Sequence, residues 1–348
     1  MSAGTPRDLG WLETELEKAY EIKTTRMGLS EGRAREGKVL NRIIRCNPGG
    51  WELEADPRHA ELIIEQMGLR GAKGVTTPGT DTAEEDESED NLEAEETTWF
   101  RGLVARANYL GMDRPDIQYA VKEACREMSK PTTGSMRRMK RIARYLCENP
   151  RLVWHFEFQA QPETVDIYTD ANWAGCKRTR KSTSGGAAMW GSHCLKTWSK
   201  TQAVVAKSSA ESELYAVVRG ACEGLGINTL MADLGIETLT RIHMDATAAK
   251  GIIERKGLSK VRHIDTDVLW LQEQQLRRLQ PLVKIKGTEN PADMMTKNVP
   301  GPVLTEFVRV LNLEFREGRA TSAAQLHSLK RRIRQERASA KLRARSAA

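Results

Sequence analysis

The sequence predicts a mixed α/β fold in which helices flank a five-stranded mixed sheet, with a mainly helical region in front of it. Three β-branched runs joined by short turns follow one another between residues 164 and 201, which favours three antiparallel strands. Helical and strand-like segments then alternate up to residue 299, and this order favours a mixed sheet with helices on both faces. With 348 residues, the chain is long enough for two domains of ordinary size.

Apolar periodicity and turn residues predict the elements of the first half. One hairpin is expected to turn at Pro48, Gly49 and Gly50, because proline and glycine favour a reversal of the chain. Apolar residues recur at helical spacing in five segments. The predicted helices cover residues 9–20, 59–67, 99–112, 116–128 and 133–146.

The second half is predicted to alternate strands and helices after the first three strands. Ser208 or Ser209 is a suitable cap for a long helix, since a serine hydroxyl can accept a free backbone N–H of the first turn. Pro291 is expected to lie near the start of the last short helix. The predicted strands cover residues 164–171, 184–190, 195–201, 240–245 and 282–286, and the predicted longer helices cover residues 209–234, 246–255 and 264–279.

Changes in composition divide the chain into five segments. Acidic residues dominate positions 81–96, and such a run is too polar to bury and repels itself, which indicates a flexible linker or a surface loop. The end of the chain is rich in arginine and lysine and is expected to be disordered by itself. The predicted segments are residues 1–80, the linker at 81–98, helices within 99–160, the sheet domain at 161–300 and the basic tail at 301–348.

Composition limits the classes of function. No apolar run approaches the roughly 20 residues of a membrane helix, and the first residues are too polar for a secretory signal, so we expect an intracellular protein, in the cytoplasm or the nucleus. Six cysteines without a C-x-x-C pair indicate neither a zinc cage nor a disulfide framework. The net charge of +7 suggests a polyanionic partner.

Four acidic residues, Asp170, Glu213, Asp245 and Asp293, lie at the ends of predicted strands or near the starts of predicted helices. Each has a simpler explanation by itself: a turn for Asp170, a solvated helix face for Glu213, and helix capping for Asp245 and Asp293. Neighbours two apart on a helix differ by about 200° in direction, so only one of Glu211 and Glu213 can face the sheet. We choose Glu213 and expect Glu211 at a solvated position of the first turn, where the helix dipole favours an acid.

Taken together, the four carboxylates predict a metal site. Such a cluster repels itself unless cations lie between its members, and oxygen ligands suit Mg²⁺. Two Mg²⁺ ions about 3.5 to 4 Å apart can activate water and stabilise the leaving oxygen of a phosphodiester. The residues therefore favour a two-metal nuclease, with Mn²⁺ as the alternative ion.

Four segments in the second half of the chain resemble the ribonuclease H domain of Copia-type retrotransposon polyproteins. The resemblance rests on T-D-A-N-W-A-G-C-K-R-T-R-K-S-T-S-G-G, on K-T-W-S-K-T-Q-A-V-V-A-K-S-S-A-E-S-E-L-Y-A-V, on V-R-H-I-D and on G-T-E-N-P-A-D-M-M-T-K, in the order of the family. It implies a ribonuclease H-like fold that cuts the RNA strand of an RNA–DNA hybrid. It also implies that the four acids are catalytic metal ligands. Asn172 departs from the pattern, which usually has a second acid there.

The preceding region resembles the end of the same family's reverse transcriptase. The segments W-L-E-T-E-L-E-K-A-Y-E-I-K-T and N-Y-L-G-M-D-R-P-D-I-Q-Y-A-V carry this resemblance. It implies that residues 1–80 are a partial palm and residues 99–160 are thumb-like or connection-like helices. Because the Y-x-D-D motif of the polymerase is not in the sequence, we expect no DNA synthesis. Other parts of the polyprotein are candidate partners.

Basic residues near the predicted site are candidate contacts for the hybrid, since lysine and arginine bind phosphates without reading sequence. A solvated hairpin tip is the alternative explanation. The candidates are Lys177, Arg178, Arg180, Lys181, Lys200 and Lys207. His263 is a further candidate that could assist proton transfer, although a histidine at a helix start is more often structural.

Two other functions compete with the nuclease. The chain could be a catalytically inactive remnant that binds hybrids, which the loss of the polymerase motif favours and the retention of four acids opposes. An integrase of the same fold is disfavoured, because integrases use the order Asp, Asp, Glu. Here the glutamate comes second, at intervals of 43, 32 and 48 residues.

Overall fold

The computed structural model describes residues 3–81, 90–255, 265–277 and 282–326 and contains two five-stranded sheets. The first sheet has the order β1-β2-β3-β4-β10, with β1 (Glu36–Val39), β2 (Arg42–Asn47), β3 (Gly50–Glu54), β4 (Arg151–Glu157) and β10 (Leu313–Arg316). The second has the order β7-β6-β5-β8-β9, with β5 (Thr164–Asn172), β6 (Thr183–Trp190), β7 (His193–Thr201), β8 (Leu239–Met244) and β9 (Val283–Lys284).

Helices precede, connect and follow these strands. The α-helices are α1 (Pro6–Glu17), α2 (Pro57–Gln66), α3 (Ala94–Leu110), α4 (Pro115–Cys125), α5 (Thr133–Glu148), α6 (Ser209–Asp233), α7 (Thr247–Ile253), α8 (Asp265–Arg277) and α9 (Gly301–Val310). Two short 3₁₀ helices are η1 (Gly287–Glu289) and η2 (Pro291–Met295). Within the described ranges, no helix has both the length and the apolar character that crossing a membrane requires.

The second sheet has the predicted mixed topology. Strand β5 pairs with β6 in antiparallel and with β8 in parallel orientation, and β8 pairs with β9 in parallel orientation. The parallel pairing is possible because α6 crosses over one face of the sheet between β7 and β8. The predicted α/β fold class is confirmed.

The first sheet was predicted only in part. The hairpin of β2 and β3 turns where the sequence indicated, and Gly50 is required there because a Cβ atom would lie 2.2 Å from the carbonyl oxygen of Phe156. Strands β1, β4 and β10 were missed. Strands β4 and β10 pair with strands that are distant in sequence, so local patterns carry little information about these two pairings.

Two segment assignments change at their edges. Residues 301–316, which the sequence analysis placed in the basic tail, form α9 and β10, and Arg316 of β10 is ion-paired with Glu52 of β3 at 2.8 Å. Arg316, which lies within the bounds given for the tail, is therefore a paired strand residue. Helix α3 begins inside the segment predicted as acidic linker, and positions 82–89 of that linker lie outside the described residues.

Apolar side chains cover both faces of the second sheet. On one face, Val165 and Ile167 of β5 pack with Val217 of α6. On the other face, Met189 of β6 belongs to the same core as Ile117 of α4. The core of the first region therefore continues onto the second sheet and buries the face that α6 leaves open.

Candidate active site

Three aspartates meet at one edge of the second sheet. Asp170 lies near the end of β5 and Asp245 directly follows β8, and the carboxyl ends of these parallel neighbours meet at the same edge. Asp293 comes from η2, which contacts β5 and β6. One carboxylate oxygen from each aspartate lies within 4.8 Å of the other two. Tertiary structure thus joins residues that are 48 to 123 positions apart.

Close packing and capping position η2. At Gly185 of β6, a Cβ atom would lie 2.6 Å from the Cγ2 atom of Thr296, so only glycine permits this approach. Asn290 caps η2, because its Oδ1 atom accepts a backbone N–H of the first turn at 3.1 Å. Its Nδ2 atom donates to the backbone carbonyl of Thr169 at 2.9 Å. This bond ties η2 to β5 directly beside Asp170.

Glu213 supplies a fourth carboxylate from α6. Its side chain accepts a hydrogen bond from the backbone N–H of Ala171, and its Oε2 atom is buried without a partner among the residues that the structure describes. Burial raises the pKa of Glu213 to about 9, and the negative charges of Asp170 and Asp245 add to this rise. The charges of two aspartates thus act on the carboxylate of Glu213. This is consistent with the choice of Glu213 rather than Glu211 as the candidate site residue.

The predicted environment of Glu211 was wrong. This residue is 4% exposed rather than solvated, and its Oε2 atom accepts the backbone N–H of Lys207 at 2.9 Å. The hydroxyl group of Ser208 accepts the backbone N–H of Glu211 at 3.2 Å. The pattern S-S-A-E is close to that of a capping box, a sequence signal that the prediction did not use. Glu211 closes the turn before α6, whereas Glu213 faces the aspartates.

Burial and mutual repulsion also affect the aspartates. Burial raises the pKa of Asp293 to about 6, with a further contribution from the charge of Asp170, and the pKa of Asp245 is raised for the same two reasons. The Oδ2 atom of Asp293 lies 2.8 Å from the Nζ atom of Lys297, while its Oδ1 atom is buried without a partner in the described part of the chain. The hydroxyl group of Thr296 donates to Oδ2 of Asp170.

Thr296 and Lys297 were not predicted as site residues. The sequence contained one signal for them, namely their spacing: they follow Asp293 by three and four positions and so lie about one helical turn from it. The same spacing occurs in many solvated helices. Contact with the carboxylates could be established only after η2 had been placed against β5 and β6.

The donor set fits a hard divalent cation. Asp170, Glu213, Asp245 and Asp293 offer carboxylate oxygens, which Mg²⁺ and Mn²⁺ prefer over nitrogen or sulfur. Buried carboxylate oxygens without a partner are unfavourable unless a proton or a cation neutralises them. The unpartnered oxygens of Glu213 and Asp293 therefore favour cation binding at this edge.

The predicted basic contacts lie on the turn after β5, near the end of β7 and in the loop before α6. The exposed members are Lys177, Arg178, Arg180, Lys200 and Lys207, and Lys181 is partly exposed. The Nε1 atom of Trp173 donates to the carbonyl of Ala206 at 3.0 Å, which joins the turn after β5 to the loop before α6. Binding of nucleic acid by these side chains stays a prediction. His263 lies outside the described residues, so its role also stays a prediction.

Comparison with known proteins finds several retrovirus-related Pol polyproteins among the relatives, and no family model matches the chain. It is 32% identical over 266 residues to the retrovirus-related Pol polyprotein from transposon RE1 of Arabidopsis thaliana, covering 75% of this chain and 18% of that protein. It is 26% identical over 302 residues to the retrovirus-related Pol polyprotein from transposon TNT 1-94 of Nicotiana tabacum, covering 83% and 22%. The chain thus spans about a fifth of these relatives.

Among solved structures, LC11-RNase H1, isolated from compost by a metagenomic approach, is similar to 38% of this chain and over 93% of its own length. The sequence identity is 15% and the TM-score is 0.31.

Proposed function

This chain belongs to the family of the retrovirus-related Pol polyproteins of Copia-type transposons, and from this premise we propose that it is a metal-dependent endonuclease that cleaves the RNA strand of RNA–DNA hybrids. The observation that carries the proposal is the meeting of Asp170, Asp245 and Asp293 at one sheet edge. Glu213 adds a buried carboxylate with an unpartnered oxygen. Phosphodiester hydrolysis with two divalent ions requires a carboxylate cluster of this kind.

The side chains of the site have separable roles in this mechanism. The charge of Asp170 raises the pKa of Glu213, Asp245 and Asp293, so Asp170 is the electrostatic centre of the group. The four carboxylates would hold the cations, and the hydroxyl group of Thr296 fixes one oxygen of Asp170. Bound divalent ions supply an activated water near neutral pH and stabilise the leaving oxygen.

The proposed substrate is recognised through its backbone. The exposed basic side chains on the turn after β5 and the loop before α6 provide positive charge for phosphates, which suits a nuclease without sequence preference. We further propose that the chain acts inside the cell together with other parts of a Pol polyprotein, since it spans about a fifth of such relatives.

A cleavage assay with the purified chain tests the proposal. The substrates are an end-labelled RNA–DNA hybrid and, as controls, the same RNA as a single strand and as an RNA duplex, each with Mg²⁺, with Mn²⁺ or with a chelator. We expect the RNA strand of the hybrid alone to be cut, and only when metal is present. The Asp170→Asn variant, purified in parallel, is expected to show no cleavage and so controls for contaminating host nucleases.

Two outcomes of the assay contradict the proposal. Cleavage that Asp170→Asn retains would assign the activity to another protein or site. Binding of the hybrid by a folded chain that cuts nothing at any metal concentration would instead identify an inactive hybrid-binding remnant.

A further inference from the structure

Lys297 places a positive charge inside the carboxylate cluster. Its Nζ atom lies 2.8 Å from Oδ2 of Asp293. In the ranges that the structure describes, no other lysine or arginine forms an ion pair with any of the three clustered aspartates. The residue directly follows Thr296, whose hydroxyl group contacts Asp170, so one short segment contacts two members of the cluster.

The charge of Lys297 acts on more than its partner. Burial lowers the pKa of this lysine, but the negative charges of Asp170, Asp293 and Asp245 outweigh that effect, and the net pKa is raised. In return, Lys297 lowers the pKa of Glu213 and of Asp245 relative to what burial and repulsion alone would give. A single ammonium group thus offsets part of the repulsion among four carboxylates.

The side chain of Lys297 is partly exposed at its contact with Asp293. It is 43% exposed, although Asp293 is only 14% exposed, so solvent reaches the ammonium end of a flexible four-carbon chain. Oδ2 of Asp293 cannot bind a divalent ion and at the same time keep its full contact with the ammonium group of Lys297, because both would use the same lone pairs. The divalent ion and the ammonium group, both next to Oδ2 of Asp293, would also repel each other.

We propose that Lys297 is a positioning residue whose ammonium group competes with a divalent cation for Asp293. Without metal it holds the carboxylate in place and limits the repulsion of the cluster. When metal binds, the ammonium group is displaced from Oδ2. The inference rests on the proposed function in one respect, namely that the carboxylates bind a divalent cation.

The test compares Mn²⁺ binding by the full-length wild-type chain with that of Lys297→Met, without nucleic acid and without any activity measurement. Free Mn²⁺ is followed by electron paramagnetic resonance. Because methionine removes the competing charge but keeps a long unbranched chain, we expect roughly ten-fold tighter Mn²⁺ binding. In the presence of a chelator, the same variant is expected to melt about 2 to 5 °C below the wild type, since the carboxylates lose their neutralising partner.

Two further variants control for folding and for general electrostatics. Lys297→Arg keeps the charge and is expected to bind Mn²⁺ like the wild type. Lys284→Met removes a charge that also lowers the pKa of Asp245, but its Nζ atom donates to the hydroxyl group of Thr247 at 2.6 Å. We therefore expect Lys284→Met to change Mn²⁺ affinity by less than about two-fold.

The outcomes separate this inference from the proposed function. If the wild type binds no Mn²⁺, both the metal site and the inference fail. If the wild type binds Mn²⁺ and Lys297→Met binds it no more tightly, only the inference fails. An equal gain of affinity in Lys297→Met and Lys284→Met would also overturn it, because the effect would then be a general change of charge rather than competition for Asp293.

Discussion

Glu211 and Glu213 are both buried on α6, two positions apart, and their carboxylates make different contacts. Glu211 is 4% exposed and accepts the backbone N–H of Lys207, whereas Glu213 is 9% exposed and faces the aspartates. Burial alone therefore does not distinguish the glutamate proposed as a metal ligand from the capping one. The distinguishing property is the hydrogen-bond satisfaction of the carboxylate, since Oε2 of Glu213 has no partner among the described residues.

The matched pair Glu213→Gln and Glu211→Gln tests this distinction at the residue scale. Glu213→Gln is expected to reduce hybrid cleavage by at least about a hundred-fold, because an amide is a poor ligand for Mg²⁺. Glu211→Gln is expected to cleave at a rate similar to the wild type, while losing about 0.5 to 1 kcal/mol of stability from the weakened contact at the helix start. Cleavage rates and urea denaturation measure the two effects. Equal loss of cleavage in both variants would refute the assignment.

The raised pKa values predict how pH and metal together affect thermal stability. Glu213, with a pKa of about 9, and Asp293, with a pKa of about 6, keep protons in the folded state that their unfolded forms release at lower pH. Stability in a chelator should therefore fall as pH rises, mainly up to about 6 for Asp293 and up to about 9 for Glu213. Mg²⁺ neutralises the ionised carboxylates, so the fall should be smaller with Mg²⁺. Melting curves from about pH 4 to about pH 9 check this, and a fall that Mg²⁺ does not change contradicts it.

At the element scale, α6 decides where Glu213 lies relative to Asp170. The helix approaches β5 closely because Gly220 faces the sheet, where a Cβ atom would lie 2.5 Å from Cγ2 of Thr169. Gly226, on the same helix, has no atom within 4 Å of the corresponding position. The two glycines therefore offer a matched test of this packing.

Alanine at each glycine is expected to have opposite effects on stability. Gly220→Ala should destabilise the protein by about 1 to 3 kcal/mol and reduce cleavage, because α6 must move away from β5. Gly226→Ala should stabilise it by up to about 1 kcal/mol, since alanine has the higher helix propensity. Urea denaturation of the two variants measures both values. A Gly220→Ala variant as stable as Gly226→Ala would show that the close approach is not required.

At the scale of the whole molecule, one core joins the first region to the sheet that carries the carboxylates. Met189 of β6, Met294 and Met295 of η2, and Ile117 of α4 belong to this core. The element that supplies Asp293 is thus packed between its own sheet and α4. The first region therefore acts as structural support for the candidate site.

Removal of that region is expected to destabilise the remainder. A fragment of residues 161–300 would expose the apolar face of β6 and η2, so we expect a lower melting temperature and binding of a hydrophobic dye that the full chain does not bind. Calorimetry of the full chain should give a single cooperative transition. A fragment that melts at the temperature of the full chain would contradict this dependence.

The sequence by itself determined the order and type of the elements in the second sheet and the four carboxylates at their ends. It could do so because β-branched runs, helix caps and strand-end acids are local patterns. Only the tertiary structure decided the part of the first sheet beyond the β2–β3 hairpin, since Arg151 of β4 pairs with Arg316 of β10, 165 positions later. It also decided the burial of Glu211 and the contacts of Thr296 and Lys297. These contacts depend on how closely η2 and α6 approach β5 and β6. The positions of glycines in the sequence do not show which atoms will meet at these close approaches.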